Sequence, residues 1–221
     1  MLVKTYIIFK KDLKSELRNR YTTNSLLMFV IVTISIIRFS LGDGFIKPEL
    51  LSGLLWITIF FSSVSGLSRV FIKEEDKETS LALKLCTEPI SVFTGKLFFN
   101  LLLTFAINIV AILLFSIVTG FEIRNTQAFL IVLVLGNLGI VSALTIVAAI
   151  VSKANTKGTL YPILSFPILL PVFLTVVNST IKSASGAPIG EFIADFQILI
   201  SYAIVVITAS LMLFRFIWED I

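Results

Sequence analysis

The sequence predicts an all-α integral membrane protein with six transmembrane helices, an N-terminal amphipathic helix in the membrane interface, and a cytoplasmic helix between spans two and three. Three observations predict it. Of 221 residues, 57% are hydrophobic and 14% charged, at a mean hydropathy of +1.00, which is more apolar surface than one water-soluble core can bury. Six apolar runs, at about residues 24–42, 50–68, 97–119, 128–151, 160–181 and 197–217, are long enough to cross ~30 Å of hydrocarbon as helices. These runs are continuous and rich in Leu, Ile, Phe and Val, whereas a barrel needs short alternating segments.

Residues 1–22 read as the interfacial helix and 23–221 as the membrane domain. Leu2, Tyr6, Phe9, Leu13 and Leu17 recur at spacings of four, three, four and four, one stripe of an α-helix, with Lys4, Lys11, Lys14 and Arg18 on the other side. Such a helix lies in the interface with its stripe in the acyl boundary and its cations towards anionic lipid headgroups. A surface helix on a soluble core is the alternative, but the chain holds no soluble domain. No cleavable signal is expected, because the first apolar run follows a charged segment.

Positive charge sets the orientation. With the N-terminus inside, the inner segments hold fourteen Lys and Arg residues and the outer ones three, Lys47, Arg124 and Lys182, so both termini are predicted to be cytoplasmic. Arg38, near the outer end of span one, reads either as an intramembrane charge or as a side chain snorkelling to the headgroups.

Gly42 to Glu49 forms a short outer loop. Ser62, Ser63, Ser65 and Gly66 in span two are small enough for close helix approach, and Asn100, Asn108 and Asn137 are amides that either bond across helices or read a substrate. Span five carries Pro162, Pro167 and Pro171, so it is expected to bend or break, as a moving part or a static kink. Residues 182–196 read as an outer loop with a re-entrant or interfacial piece at Phe192 to Phe196.

The stretch from Arg69 to Lys96 interrupts this apolar pattern with five acidic and five basic residues. Read as a helix from about Glu74 to Glu88, it places Leu81 and Leu85 on one side and Leu83 and Cys86 nearly opposite, and Pro89 ends it. Apolar side chains on two sides require two surfaces: the ends of the spans and another protein. A solvated charge run followed by a short membrane-surface helix is the competing reading.

Several chemistries are excluded. The chain has no His and a single Cys, so it has neither an internal disulfide nor a paired-cysteine metal site. It has no G-x-x-x-x-G-K-[ST] loop to hold ATP, and no nucleophile and base are paired. No nucleic-acid partner is expected.

From Glu74 through Thr79, Ser80, Leu81, Leu85, Glu88, Pro89 and Ile90 to Gly95 and Lys96, the stretch resembles the coupling segment of ABC-2-type exporter membrane subunits, with Glu78 where a Gly is usual. FKKDLKSELRNRYTTNSLLMF, Phe9 to Phe29, resembles the opening of the haem exporter protein B (CcmB) family of cytochrome c maturation: Asp12, Leu13, Glu16 and Arg18 match, and Lys11 replaces an Arg. GLLWITIFFSSVSGLSRVF, Gly53 to Phe71, is similar to that family's second span, and the Pro-rich fifth span also fits.

The resemblance implies a permease subunit, in two copies, of an ATP-driven complex in the bacterial inner membrane. Its partners would be a cytoplasmic CcmA-like ATPase subunit, which holds the ATP, and haem-handling membrane subunits. Its work would be haem export or release of a haem-loaded chaperone. Glu74, Glu75, Leu81, Leu83, Leu85, Glu88 and Pro89 would then meet the ATPase. No cofactor is expected on this chain; with no His, and only Cys, Met and Tyr as candidate ligands, haem is expected to be held by a partner. Two alternatives keep the membrane architecture: a permease for a lipid, glycan or drug, and a non-transporting scaffold of the haem-handling complex.

Overall fold

The computed structural model describes residues 2–42, 46–75, 79–154 and 157–219. Among these described residues, nine α-helices run in the order α1 (Leu2–Asn19), α2 (Tyr21–Leu41), α3 (Pro48–Leu67), α4 (Ile72–Glu75), α5 (Thr79–Cys86), α6 (Pro89–Thr119), α7 (Thr126–Ser152), α8 (Lys157–Ser185) and α9 (Ile193–Glu219), with a 3-10 turn at Ile189–Phe192 before α9. No strand occurs among the described residues. Six of the helices, α2, α3 and α6 to α9, are long and apolar enough to span a membrane. The chain is therefore a multi-pass membrane protein, and six crossings put both chain ends and α1, α4 and α5 on one face.

Most spans run further than their apolar runs. Pro48 and Pro89 open α3 and α6 where a missing N–H costs nothing. Gly120, at φ +70°, closes α6 with its N–H on the Ser116 carbonyl, and the Asn125 side chain caps α7 by accepting from the Ala128 N–H at 3.0 Å.

α7 is the mostly buried centre, packed chiefly on α8 and α9 and also on α6 and α3. Gly136 permits this: a Cβ there would lie 2.8 Å from Val176 of α8 and 3.1 Å from Trp56 of α3. Polar groups inside the bundle pair across helices. Asn100 donates to Thr145 at 3.0 Å, Asn108 to the Asn137 side-chain oxygen at 3.0 Å, and the Trp56 indole to Thr180 at 2.8 Å. The asparagines thus join α6 to α7. Arg38 donates to the Gly42 carbonyl at the end of its own helix.

Of the expected bend or break in span five, the break does not occur: α8 is one continuous helix through Pro162, Pro167 and Pro171. Tyr202 of α9 donates to the Ile168 carbonyl at 2.7 Å, so a neighbouring helix serves the backbone between two of the prolines, as expected. A second expectation is corrected. Phe192 to Phe196 is not a separate re-entrant piece, because Phe192 ends the 3-10 turn and α9 follows at once. Asp195 in its first turn is nearly buried and takes an ion pair from Lys182 at 2.8 Å and a hydrogen bond from Ser179 at 3.0 Å.

Candidate functional site

The site lies on the face that carries both chain ends, where α1, the α3–α6 connection and the first turns of α6 meet. Of the helix read from about Glu74 to Glu88, the described residues form α4 up to Glu75 and α5 from Thr79 to Cys86; residues 76–78 lie outside the described residues. The side chains of Glu75 and Leu81 also lie outside the described residues.

α1 packs mainly on α6. Its periodic stripe is largely uncovered: Leu2, Tyr6 and Leu17 are exposed and Phe9 and Leu13 partly so, and Leu2, Tyr6 and Phe9 line an apolar groove with Phe98, Leu101 and Phe105 of α6. The face against α6 is a different one, made by Thr5 and Ile8, both buried. A Cβ on Gly95 would stand 2.9 Å from Ile8 and 2.9 Å from the Thr5 carbonyl, so glycine is what lets the two helices touch. Thr5 and Thr94 hydroxyls meet at 3.2 Å. At the far end of α1, Glu16 accepts from the Thr23 N–H at 2.7 Å and its hydroxyl at 3.0 Å, capping the start of α2 across Arg20, whose φ is +48°.

Lys96, one residue after Gly95, is the centre of the site. Only 2% of its side chain is exposed, so its charge must be compensated internally. Its ammonium has three N–H donors, and three oxygens surround it: Glu74 Oε2 at 3.0 Å, the Val70 carbonyl at 3.0 Å and Asp12 Oδ2 at 3.4 Å. The Phe71 ring lies 5.0 Å away and adds a cation–π contact. Lys11 completes a four-charge node, donating to Glu74 and lying 3.3 Å from Asp12. Burial works against the Lys11 charge, but Asp12 and Glu74 outweigh it and hold its pKa above the usual lysine value.

The node joins α1, α4 and α6, and through Phe71 it reaches α9. Phe71 packs on Phe214 at 5.5 Å and on Trp218 at 6.5 Å, and Lys84 of α5 lies 5.5 Å from the Trp218 ring. Two of the cations assigned to lipid headgroups are used differently: Lys11 serves the node, and Lys4 pairs with Glu88 at 3.6 Å. Lys14 and Arg18 line a cavity of about 720 Å³ between α1, α3 and α6.

The predicted contact residues divide in two. Glu74 points into the protein, and Leu83 packs against the core. Leu85 is 88% exposed, Glu88 is exposed, and Pro89 starts α6. Lys96, Asp12 and Gly95 were not among the predicted site residues. A signal existed, because all three belong to the segments that carry the family resemblance. What the arrangement can do is mechanical: a salt-bridged node ties α1 and α6 to α4, and α5, which follows it in the chain, carries an exposed Leu85.

A search of curated proteins finds no match to this chain. A family model described as CcmB protein matches residues 3–217, nearly the whole chain. The chain therefore belongs to the CcmB family, the membrane permease components of the haem-export and cytochrome c maturation ABC system, and is a multi-pass inner-membrane protein.

Proposed function

We propose that this chain receives the force of ATP hydrolysis from a cytoplasmic ATPase subunit through α5, and passes it to the spans to drive haem export or release of a haem-loaded chaperone. The observation that carries the proposal is the two-sidedness of α5. Leu83 is packed on the bundle while Leu85 stands 88% exposed. An uncovered leucine on a short charged connection suits a protein partner.

The fourteen-to-three distribution of Lys and Arg supports cytoplasmic placement of α5 and both termini. Two copies work in the complex. Haem is its cargo and is held by a partner subunit, since this sequence has no His to ligate iron. The chain holds no ATP itself.

The test is gentle purification of the tagged native chain, with mass spectrometry of what accompanies it. Recovery of an ATPase together with cytochrome c maturation proteins is the expected result. Recovery of an ATPase with envelope-lipid or glycan enzymes would overturn the assignment of cargo, and recovery of no ATPase would overturn coupling.

A further inference from the structure

We infer that the cavity between α1, α3 and α6 is a binding site for one anionic phospholipid, with its phosphate among Lys14, Arg18 and Arg69 and an acyl chain running down α6. The site goes beyond the coupling role and rests only on the chain's being a membrane protein.

Charge makes the first part of the case. Five lining cations face three carboxylates. Lys11, Lys96, Asp12 and Glu74 satisfy one another in the node, and Glu16 is engaged by Thr23. Lys14, Arg18 and Arg69 remain, and none has an ion-pair partner among the described residues. Lys14 and Arg18 come from α1 and Arg69 from the turn after α3, so cations from two elements converge on one space. Guanidinium groups offer paired donors to a phosphate, at a position where the headgroup layer supplies one.

Depth makes the second part. Lys96, Phe99 and Leu103 recur on one face of α6, and all three line the cavity. At the helical rise, Leu103 lies about 10 Å below Lys96 along the helix axis. α6 has 31 residues, whereas about twenty cross the hydrocarbon, so its first turns stand in the interface and Phe99 and Leu103 at the edge of the apolar layer. A cationic mouth over an apolar wall matches a phosphate-headed amphiphile better than a free phosphate, which would use only the mouth. At about 720 Å³ the cavity holds a headgroup and the upper part of a chain.

The full chain, purified in detergent without an ATPase, would be titrated with dioleoylphosphatidylglycerol and followed by native mass spectrometry. Dioleoylphosphatidylcholine supplies the same tails without net charge, and glycerol 3-phosphate an anionic phosphate monoester without tails. The expected result is one tightly held phosphatidylglycerol per chain, at least tenfold weaker phosphatidylcholine binding, and no competition from glycerol 3-phosphate. In Arg18→Gln/Arg69→Gln, at about fivefold per cation, affinity falls roughly 25-fold. Lys10→Gln, on α1 but outside the cavity, leaves it unchanged.

Equal binding of the two lipids, or full affinity in a folded double variant, would overturn the inference. Effective competition by glycerol 3-phosphate would make the site one for soluble phosphate esters and overturn it too. The two wild-type comparisons decide the matter even where the double variant does not fold. Since no ATPase is present, failure of lipid binding and failure of coupling read out separately.

Discussion

Replacing Lys96 by Met tests whether the charged node holds α1, α4 and α6 together. Met keeps the stem and removes an ammonium that is 2% exposed and lies 3.0 Å from Glu74 and 3.4 Å from Asp12. Removing one partner of a buried ion pair costs about 3–5 kcal/mol, because the other charge is left buried without compensation. Here Lys11 stays beside both carboxylates, and its own side chain is 44% exposed, so the cost falls at the low end, about 3 kcal/mol. For a chain of this size that lowers Tm by roughly 6–12 °C. The assay is thermal unfolding of the purified chain in lipid nanodiscs, read by tryptophan fluorescence; Trp218, 6.5 Å from Phe71, reports on the region of the node. Lys96→Met/Glu74→Gln removes one stranded carboxylate charge and recovers part of the loss, a coupling of about 1–3 kcal/mol. A Lys96→Met protein melting within about 2 °C of the wild type, with no further effect of Glu74→Gln, would refute the node as a structural tether.

Gly95→Leu would drive a side chain into Ile8 and the Thr5 carbonyl, each 2.9 Å from the first added carbon; an overpacking cost of about 1–3 kcal/mol is expected, with α1 lifted from α6 and a cysteine placed at Ile8 becoming reactive to a maleimide. Asn108→Leu breaks the bond to Asn137 and should lower stability by about 0.6 kcal/mol, and at most about 1.7, by a double-mutant cycle with Asn137→Leu. Because the Lys11 pKa is raised by folding, the ion pairing it contributes is fully present below the unfolded value of 10.5 and is lost as pH rises through the folded one. Melting temperature should accordingly show no loss from this group between pH 7 and pH 9 and a loss above the lysine range, absent in Lys11→Met.

The six spans were legible because burial in lipid demands long apolar runs, and composition reports those directly. Their ends were less legible: α6 starts at Pro89 although its apolar run begins only after Lys96, since a charge that is buried among carboxylates interrupts hydropathy without interrupting the helix. Helix α1 shows the same limit. Its periodic stripe, Leu2 to Leu17, is largely uncovered, while the closely packed face is marked by Thr5 and Ile8 and ends in Asp12. Hydrophobic periodicity cannot distinguish contact with lipid from contact with protein, because both are apolar. The node itself joins residues 63 and 84 positions apart, so no local spacing reveals it. The prolines of α8 misled for a related reason: whether a proline breaks a helix depends on neighbours such as Tyr202, 34 positions from the carbonyl that it serves.

The proposed coupling through α5 is tested most directly by ATP hydrolysis in nanodiscs that contain this chain and the proposed ATPase subunit, with Leu85→Asp compared with the wild type. Leu85 is 88% exposed, so the substitution leaves folding and insertion intact. The variant is expected to insert and melt like the wild type while stimulation of hydrolysis falls to the level of the ATPase alone. Undiminished stimulation by a correctly inserted Leu85→Asp chain would contradict coupling through α5.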